Sequence, residues 1–178
     1  MGRTNACLVL ALALAGLLAG AAGCPVGAQP MAPKADEGQK VFKEACAGCH
    51  KWHGGGGGGY GGAALSLRQT QLDRAHLVEV VGCGRPGTGM PSHKRDAYAD
   101  GACYGLKKAD LGQDAPPEAN RFLRPKEIEA VVDYVIAHVQ GKGDPTLADC
   151  EAFWGAGART CGEYRPGGAA PEAAKVGE

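Results

Sequence analysis

Apolar residues recur at three- and four-residue spacings in three stretches, and each predicts an amphipathic helix. In the first, Ala35–Cys49, Val41, Phe42 and Ala45 form the apolar stripe, and Lys40, Lys43 and Glu44 the wet face. The second opens at Thr70-Gln-Leu-Asp73, which reads as a capping signal with the acid at the third helical position. It carries Leu77, Val78 and Val81 and stops at Gly82. The third starts at Pro125, a good first-turn residue, and runs to about Val139 with Ile128, Val131, Val132, Val135, Ile136 and Val139 on one face. Lys142-Gly-Asp-Pro ends it. The pattern is not strand-rich, and the expected fold class is all-α. The run Gly54–Gly59, followed by Tyr60, offers no side chains to a core and reads as a loop. In the long segment 92–124, Ala115-Pro-Pro-Glu breaks any helix.

Composition changes the picture in two places. The chain has 178 residues and 18.1 kDa, with 19 basic against 19 acidic side chains. That balance leaves no electrostatic footprint for nucleic acid. Glycine, at 30 residues, is more than twice the usual share of about 7%. Eight cysteines point to an oxidising compartment or a cofactor. The compartment has its own signal. Arg3 is the only charge before residue 34, and a short apolar run from Cys7 to Ala19 ends in small residues, the pattern of a secretory signal. Two cleavage points fit. Ala21-Ala22-Gly23-Cys24 resembles a bacterial lipoprotein box with Cys24 as the acylated residue, and Val26-Gly27-Ala28 is an ordinary site before Gln29. The expected organisation is a signal peptide over 1–23 (or to 28), a tether over 24–35, a folded domain over 36–164 and a disordered Pro/Ala/Gly/Glu tail over 165–178. Location is then the periplasm, soluble or lipid-anchored.

Cys46-Ala-Gly-Cys49-His50 carries the chemistry. C-x-x-C-H is the attachment signature of c-type haem: two thiols add across the haem's vinyl groups, and the adjacent His reaches the iron. A zinc site would want a second ligand pair, and no other C-x-x-C or H-x-x-x-H is present. A thioredoxin-like motif would need a β-α-β context. For a sixth ligand, only Met31 and Met90 remain after the signal, and Met31 lies in the tether. Met90 sits 40 residues past His50, in a Gly/Pro-rich turn able to wrap a ring edge. His53, His76, His93 and His138 are the competing ligands, and His93, three residues past Met90, is the serious one.

On these residues the chain resembles the class I cytochromes c, from about residue 36 to 142. Three elements carry the resemblance: the helix before the haem motif with Gly38 and Phe42, the turn Gly87-Thr88-Gly89-Met90-Pro91, and the last amphipathic helix. It implies a small fold of three to five helices around one covalent haem c, with long Gly/Pro-rich loops. First and last helices would cross closely at Gly38, with Phe42 and Tyr134 in contact. Many relatives have a proline after the motif whose carbonyl accepts from the ligand His. This chain has none before Pro86, so a glycine carbonyl or water is expected instead. Leu65, Leu67 and Leu72 are candidates for the haem crevice, and Arg68, Tyr60 and Trp52 for the propionates. Two disulfides are expected: Cys83–Cys103, flanking Met90, and Cys150–Cys161, closing a short loop around Phe153 and Trp154.

Haem held by His50 and Met90 leaves no coordination position for substrate, and the chain carries no G-x-S-x-G, H-E-x-x-H or P-loop. The expectation is a monomeric electron carrier without enzymatic activity, working between a dehydrogenase (the resemblance suggests a quinoprotein) and an oxidase or other acceptor. Lys43, Lys51, Lys94 and Arg95 would rim the exposed edge for charge-steered contact. A small haem peroxidase or gas-binding protein, with an open sixth position, is the alternative. A third reading is an assembly subunit in which the haem is structural.

Overall fold

The computed structural model describes residues 33–58 and 63–168. The signal segment, both cleavage points, Cys24, Met31, Tyr60 and the tail from 169 lie outside these residues. Among the described residues the chain is helical, with isolated bridge pairs and no extended strand.

Three segments open the fold without a break: α1 (Pro33–Val41), a π turn (Phe42–Cys46) and α2 (Ala47–His50). The first helix thus begins two residues before the expected Ala35, taking in the end of the expected tether, and runs one residue past Cys49. Pro33 suits that start, because a first-turn residue needs no amide donor. In the π turn the Ala47 amide donates to the Phe42 carbonyl, one residue further than an α-helix allows. Phe42 is fully buried there, while Cys46, Cys49 and His50 emerge half-buried.

The second helix needs a correction at both ends. α3 spans Arg74–Cys83, and Asp73 is its cap rather than its third residue. The Asp73 carboxylate accepts from the His76 amide at 3.0 Å, whereas Thr70 accepts from Leu72 and starts no helix. A carboxylate caps well because it meets both an orphan amide and the positive end of the helix dipole. The helix ends one turn-residue later than Gly82. Gly84 takes φ +71°, and a side chain there would run into Ser92 N at 2.7 Å and Met90 O at 2.8 Å. Gly84 is therefore where the chain can turn toward Met90.

α5 spans Pro125–His138 as expected, and Glu127 closes its capping box by accepting from the Arg124 amide at 2.8 Å. Of its stripe, Ile128, Val131, Val132, Val135 and Val139 are buried, but Ile136 is exposed. α1 crosses α5 at Gly38, where a Cβ would overlap the Ala130 carbonyl and Tyr134. The Phe42 and Tyr134 rings lie 5.5 Å apart at that crossing.

Two additions complete the molecule. α6 (Leu147–Trp154), opened by a Thr146–Asp149 capping box, is followed by a 3₁₀ segment, Arg159–Tyr164, and Cys150–Cys161 links the two. Phe153 of α6 joins the main core beside Phe42. Residues 92–124 hold a single-turn helix, α4 (Lys108–Leu111), and a 3₁₀ turn up to Asp114, just before the proline pair. Cys83–Cys103 ties this segment to the end of α3, and a second small core of Cys83, Ala97, Tyr98 and Cys103 forms around it. With Pro33–His50 taken as one run, the described residues contain five α-helical runs, inside the expected range.

Candidate functional site

Cys46 ends the π turn, and Cys49 and His50 lie on α2, so the whole motif rides on the helix that crosses α5. The four cysteines outside the motif that lie in the described residues pair with one another, as expected. Burial, reinforced by neighbouring Cys49, pushes the Cys46 thiol up to about 12.

The His50 ring is oriented from one side. Its Nδ1 lies 3.0 Å from the Leu65 carbonyl. A carbonyl can only accept, so Nδ1 carries the proton and the lone pair is on Nε2. Burial lowers the affinity of His50 for a second proton, and the Leu65 carbonyl partly offsets that. The carbonyl expected from a glycine therefore comes from a leucine. Backbone pairing of Gly57 with Ala64 places the next carbonyl, that of Leu65, against the ring. Leu65 is thus part of the site through its backbone, while its side chain is 63% exposed. Leu72 is also exposed, and Leu67 packs on the main core.

Met90 is half-buried in a closed loop. Its amide donates to the Thr88 hydroxyl at 3.2 Å, and its carbonyl accepts from the Arg85 amide at 3.2 Å. Segment 92–124 straps the loop from outside. Gly87 donates to the Asp114 carbonyl at 2.8 Å, and Ser92 to the Pro117 carbonyl at 2.9 Å. The Tyr98 hydroxyl donates to the Cys83 carbonyl at 2.9 Å, and Tyr104 to the Gly84 carbonyl at 2.7 Å. Sequence reasoning missed both tyrosines. Their only signal was one aromatic residue inside the segment closed by Cys83 and Cys103 and one immediately after it.

Each competing histidine has a protein partner. His93 is buried, with Nδ1 donating to the Arg121 carbonyl at 3.2 Å, so its Nε2 holds the lone pair as in His50. His53 Nδ1 accepts from the Gly55 amide at 3.0 Å. His76 pairs with Asp73 at 2.8 Å, and His138 stacks on Tyr134 at 4.9 Å.

Of the propionate candidates, Arg68 and Trp52 face the C-terminal additions. Arg68 donates to the Gly143 carbonyl at 2.6 Å and to the His53 carbonyl at 2.8 Å, and is half-buried rather than free on the surface. Trp52 packs edge-on to Tyr164 at 5.5 Å and against Phe153 at 5.9 Å. Of the cationic rim, Lys43 lies over the Phe153 ring at 4.7 Å and Arg95 over Phe122 at 4.6 Å, so both are drawn onto aromatic faces. Lys51 and Lys94 are exposed.

These features define a helical cage with a C-x-x-C-H motif on its first helix and a braced methionine loop after its second. The model of the cytochrome c family matches residues 35–138, more than half of the chain, and the chain belongs to that family, as a class I c-type cytochrome. No curated protein and no solved structure matches it. Its cofactor is therefore covalently bound haem c, and its activity that of a haem electron carrier exchanging electrons with redox protein partners. The site residues fit that group: two cysteines three apart, beside an imidazole whose tautomer presents Nε2 to a metal.

Proposed function

We propose that this protein is an exported mono-haem carrier that takes single electrons from a periplasmic dehydrogenase, of quinoprotein type, and passes them to an oxidase or another redox acceptor. Haem c supplies the one-electron exchange when bound. Cys46 and Cys49 would hold it covalently, and His50, through Nε2, and Met90, through its thioether, would be its iron ligands. The single observation that carries this reading is the Leu65 carbonyl on His50 Nδ1, which leaves Nε2 as the metal-binding nitrogen. The braced Met90 loop supports it. A thioether binds iron weakly, so a loop already closed by backbone bonds, two tyrosine hydroxyls and a disulfide would spare the ordering cost of ligation. The N-terminal signal supports export, with Cys24 as a lipid anchor if cleavage falls before it.

Replacing Met90 tests the ligand set. Met90→Ala should keep haem attached through the cysteines, lower the reduction potential and admit carbon monoxide to the ferrous protein. Visible spectra, potentiometry and carbon monoxide titration read all three. An unchanged spectrum and potential would remove Met90 from the site. Rapid carbon monoxide binding by the unaltered protein would favour the gas-binding or peroxidase reading.

A further inference from the structure

The turn that follows His50 is built against the carbonyl that orients it. The Gly56 amide donates to the His50 carbonyl at 3.2 Å, so the loop folds back on the ligand's own backbone. One residue on, Gly57 and Ala64 exchange amide bonds at 2.9 and 3.3 Å, and the Leu67 amide donates to Gly54 at 2.8 Å. Gly56 is buried at φ +71°. A Cβ on it would overlap the Ala64 carbonyl oxygen and stand 2.8 Å from the Leu65 carbonyl carbon and 2.9 Å from its oxygen. That oxygen is the one His50 Nδ1 donates to. No real Cβ tolerates such contacts, and here the obstacle is backbone, which cannot swing aside like a side-chain tip.

We infer that Gly56 is a positioning residue for the haem ligand: by having no side chain it lets the Leu65 carbonyl reach His50 Nδ1, and so sets the electron donation of the imidazole to the iron. The inference rests on the reading of His50 as the haem ligand. A carbonyl acceptor on Nδ1–H makes the imidazole a stronger donor, which favours the oxidised metal. Displacing the acceptor weakens that donation and should raise the reduction potential.

Gly57 provides the control, because it also has positive φ (+92°) but a Cβ there would touch only the end of Lys51, at 3.5 Å. Gly56→Ala and Gly57→Ala therefore share the backbone strain and differ in contact with Leu65. On the holoproteins, potentiometry should show a higher potential for Gly56→Ala than for Gly57→Ala. A tenfold loss of preference for the oxidised state corresponds to about 59 mV. Proton–nitrogen NMR of the ferrous diamagnetic forms should show the His50 Nδ1–H signal moved or lost by exchange in Gly56→Ala only. Equal potentials in the two variants, with the Nδ1–H signal unmoved, would overturn the inference. If Gly56→Ala yields no holoprotein, the unaltered protein decides. A slowly exchanging His50 Nδ1–H with a through-hydrogen-bond coupling to the Leu65 carbonyl supports it, and a freely exchanging one overturns it. Failure of the underlying reading looks different: the unaltered protein would then carry no haem, or its His50 would show no iron ligation.

Discussion

At the scale of single residues, the groups that matter most are held by backbone or by charge rather than by packing alone. Glu127 is the clearest case outside the haem motif. It is buried at 6% exposure, and its carboxylate meets the Arg124 side chain at 3.0 Å, the Arg124 amide at 2.8 Å and Arg121 at 2.6 Å. The side-chain bond from Arg124, followed by the amide bond, holds its proton affinity down to about 2. A folded-state value below the unfolded one, about 4.3, means the contribution is complete above that pH and disappears as pH falls toward 2. Arg121 also reaches Glu44 at 3.4 Å, and Arg124 reaches Glu37 at 3.9 Å, so the same cluster joins the first helical run to the start of α5. Glu127→Gln should lower unfolding free energy at neutral pH by about 1–2 kcal/mol, the exposed arginines screening the rest. It should also flatten the acid limb of stability between roughly pH 4.5 and 2. Urea titrations at pH 7 and pH 3 for both proteins check this, since the difference between them should shrink at the lower pH.

At the scale of elements, the crossing of α1 with α5 decides where the haem motif stands. Gly38 lets the two backbones meet, and Phe42, one turn further along, packs on Tyr134. The motif follows directly through the π turn and α2, so any widening of the crossing is passed to Cys46 and His50. Gly38→Ala brings a methyl against the Ala130 carbonyl and the Tyr134 Cβ, neither of which is a flexible tip. The expected cost is about 1–3 kcal/mol, the usual range for overpacking, read as a lower denaturant midpoint with the slope unchanged. An unaltered midpoint would mean the helices separate freely, and the crossing would then not constrain the motif.

At the scale of the whole molecule, the segment past the family match closes back on its beginning. Phe153 lies 6.2 Å from Phe42 and 5.9 Å from Trp52, under the Lys43 ammonium, and Gln39 donates to the Ala152 carbonyl at 3.1 Å. Residues a hundred positions apart thus form one aromatic cluster beside the haem motif, secured by Cys150–Cys161. Phe153→Ala should cost about 3–5 kcal/mol, typical of an emptied core aromatic. The visible spectrum of the folded holoprotein should stay as it was, because Phe153 packs on the motif's helix and on Trp52 rather than on His50 or Met90. Thermal unfolding followed by circular dichroism, beside that spectrum, checks both halves.

The three expected helices, the attachment motif and both disulfides were legible along the chain, whereas α6, which stands where a short loop was expected, was not, and the Gly38 crossing came with the family resemblance. The legible features depend on local spacing: period 3.6, a five-residue string, or cysteines whose nearest partners are the right ones. The start of α3 was not legible, since Thr70 and Asp73 are both capping residues and only the folded neighbours choose between them. The acceptor for His50 was not legible either, because a hydrogen bond to a backbone carbonyl leaves no mark on residue identity. The Gly-rich run shows that a turn must exist, but which carbonyl it delivers depends on the pairing of Gly57 with Ala64. Trp52, Arg68 and Lys43 could be marked only as candidates for the haem edge, and the fold turns them toward α6 and its neighbours, a contact between distant parts of the chain. Local chemistry is written in the order of residues. Which backbone atom or distant ring meets it is decided by long-range packing, and only the tertiary structure contains that.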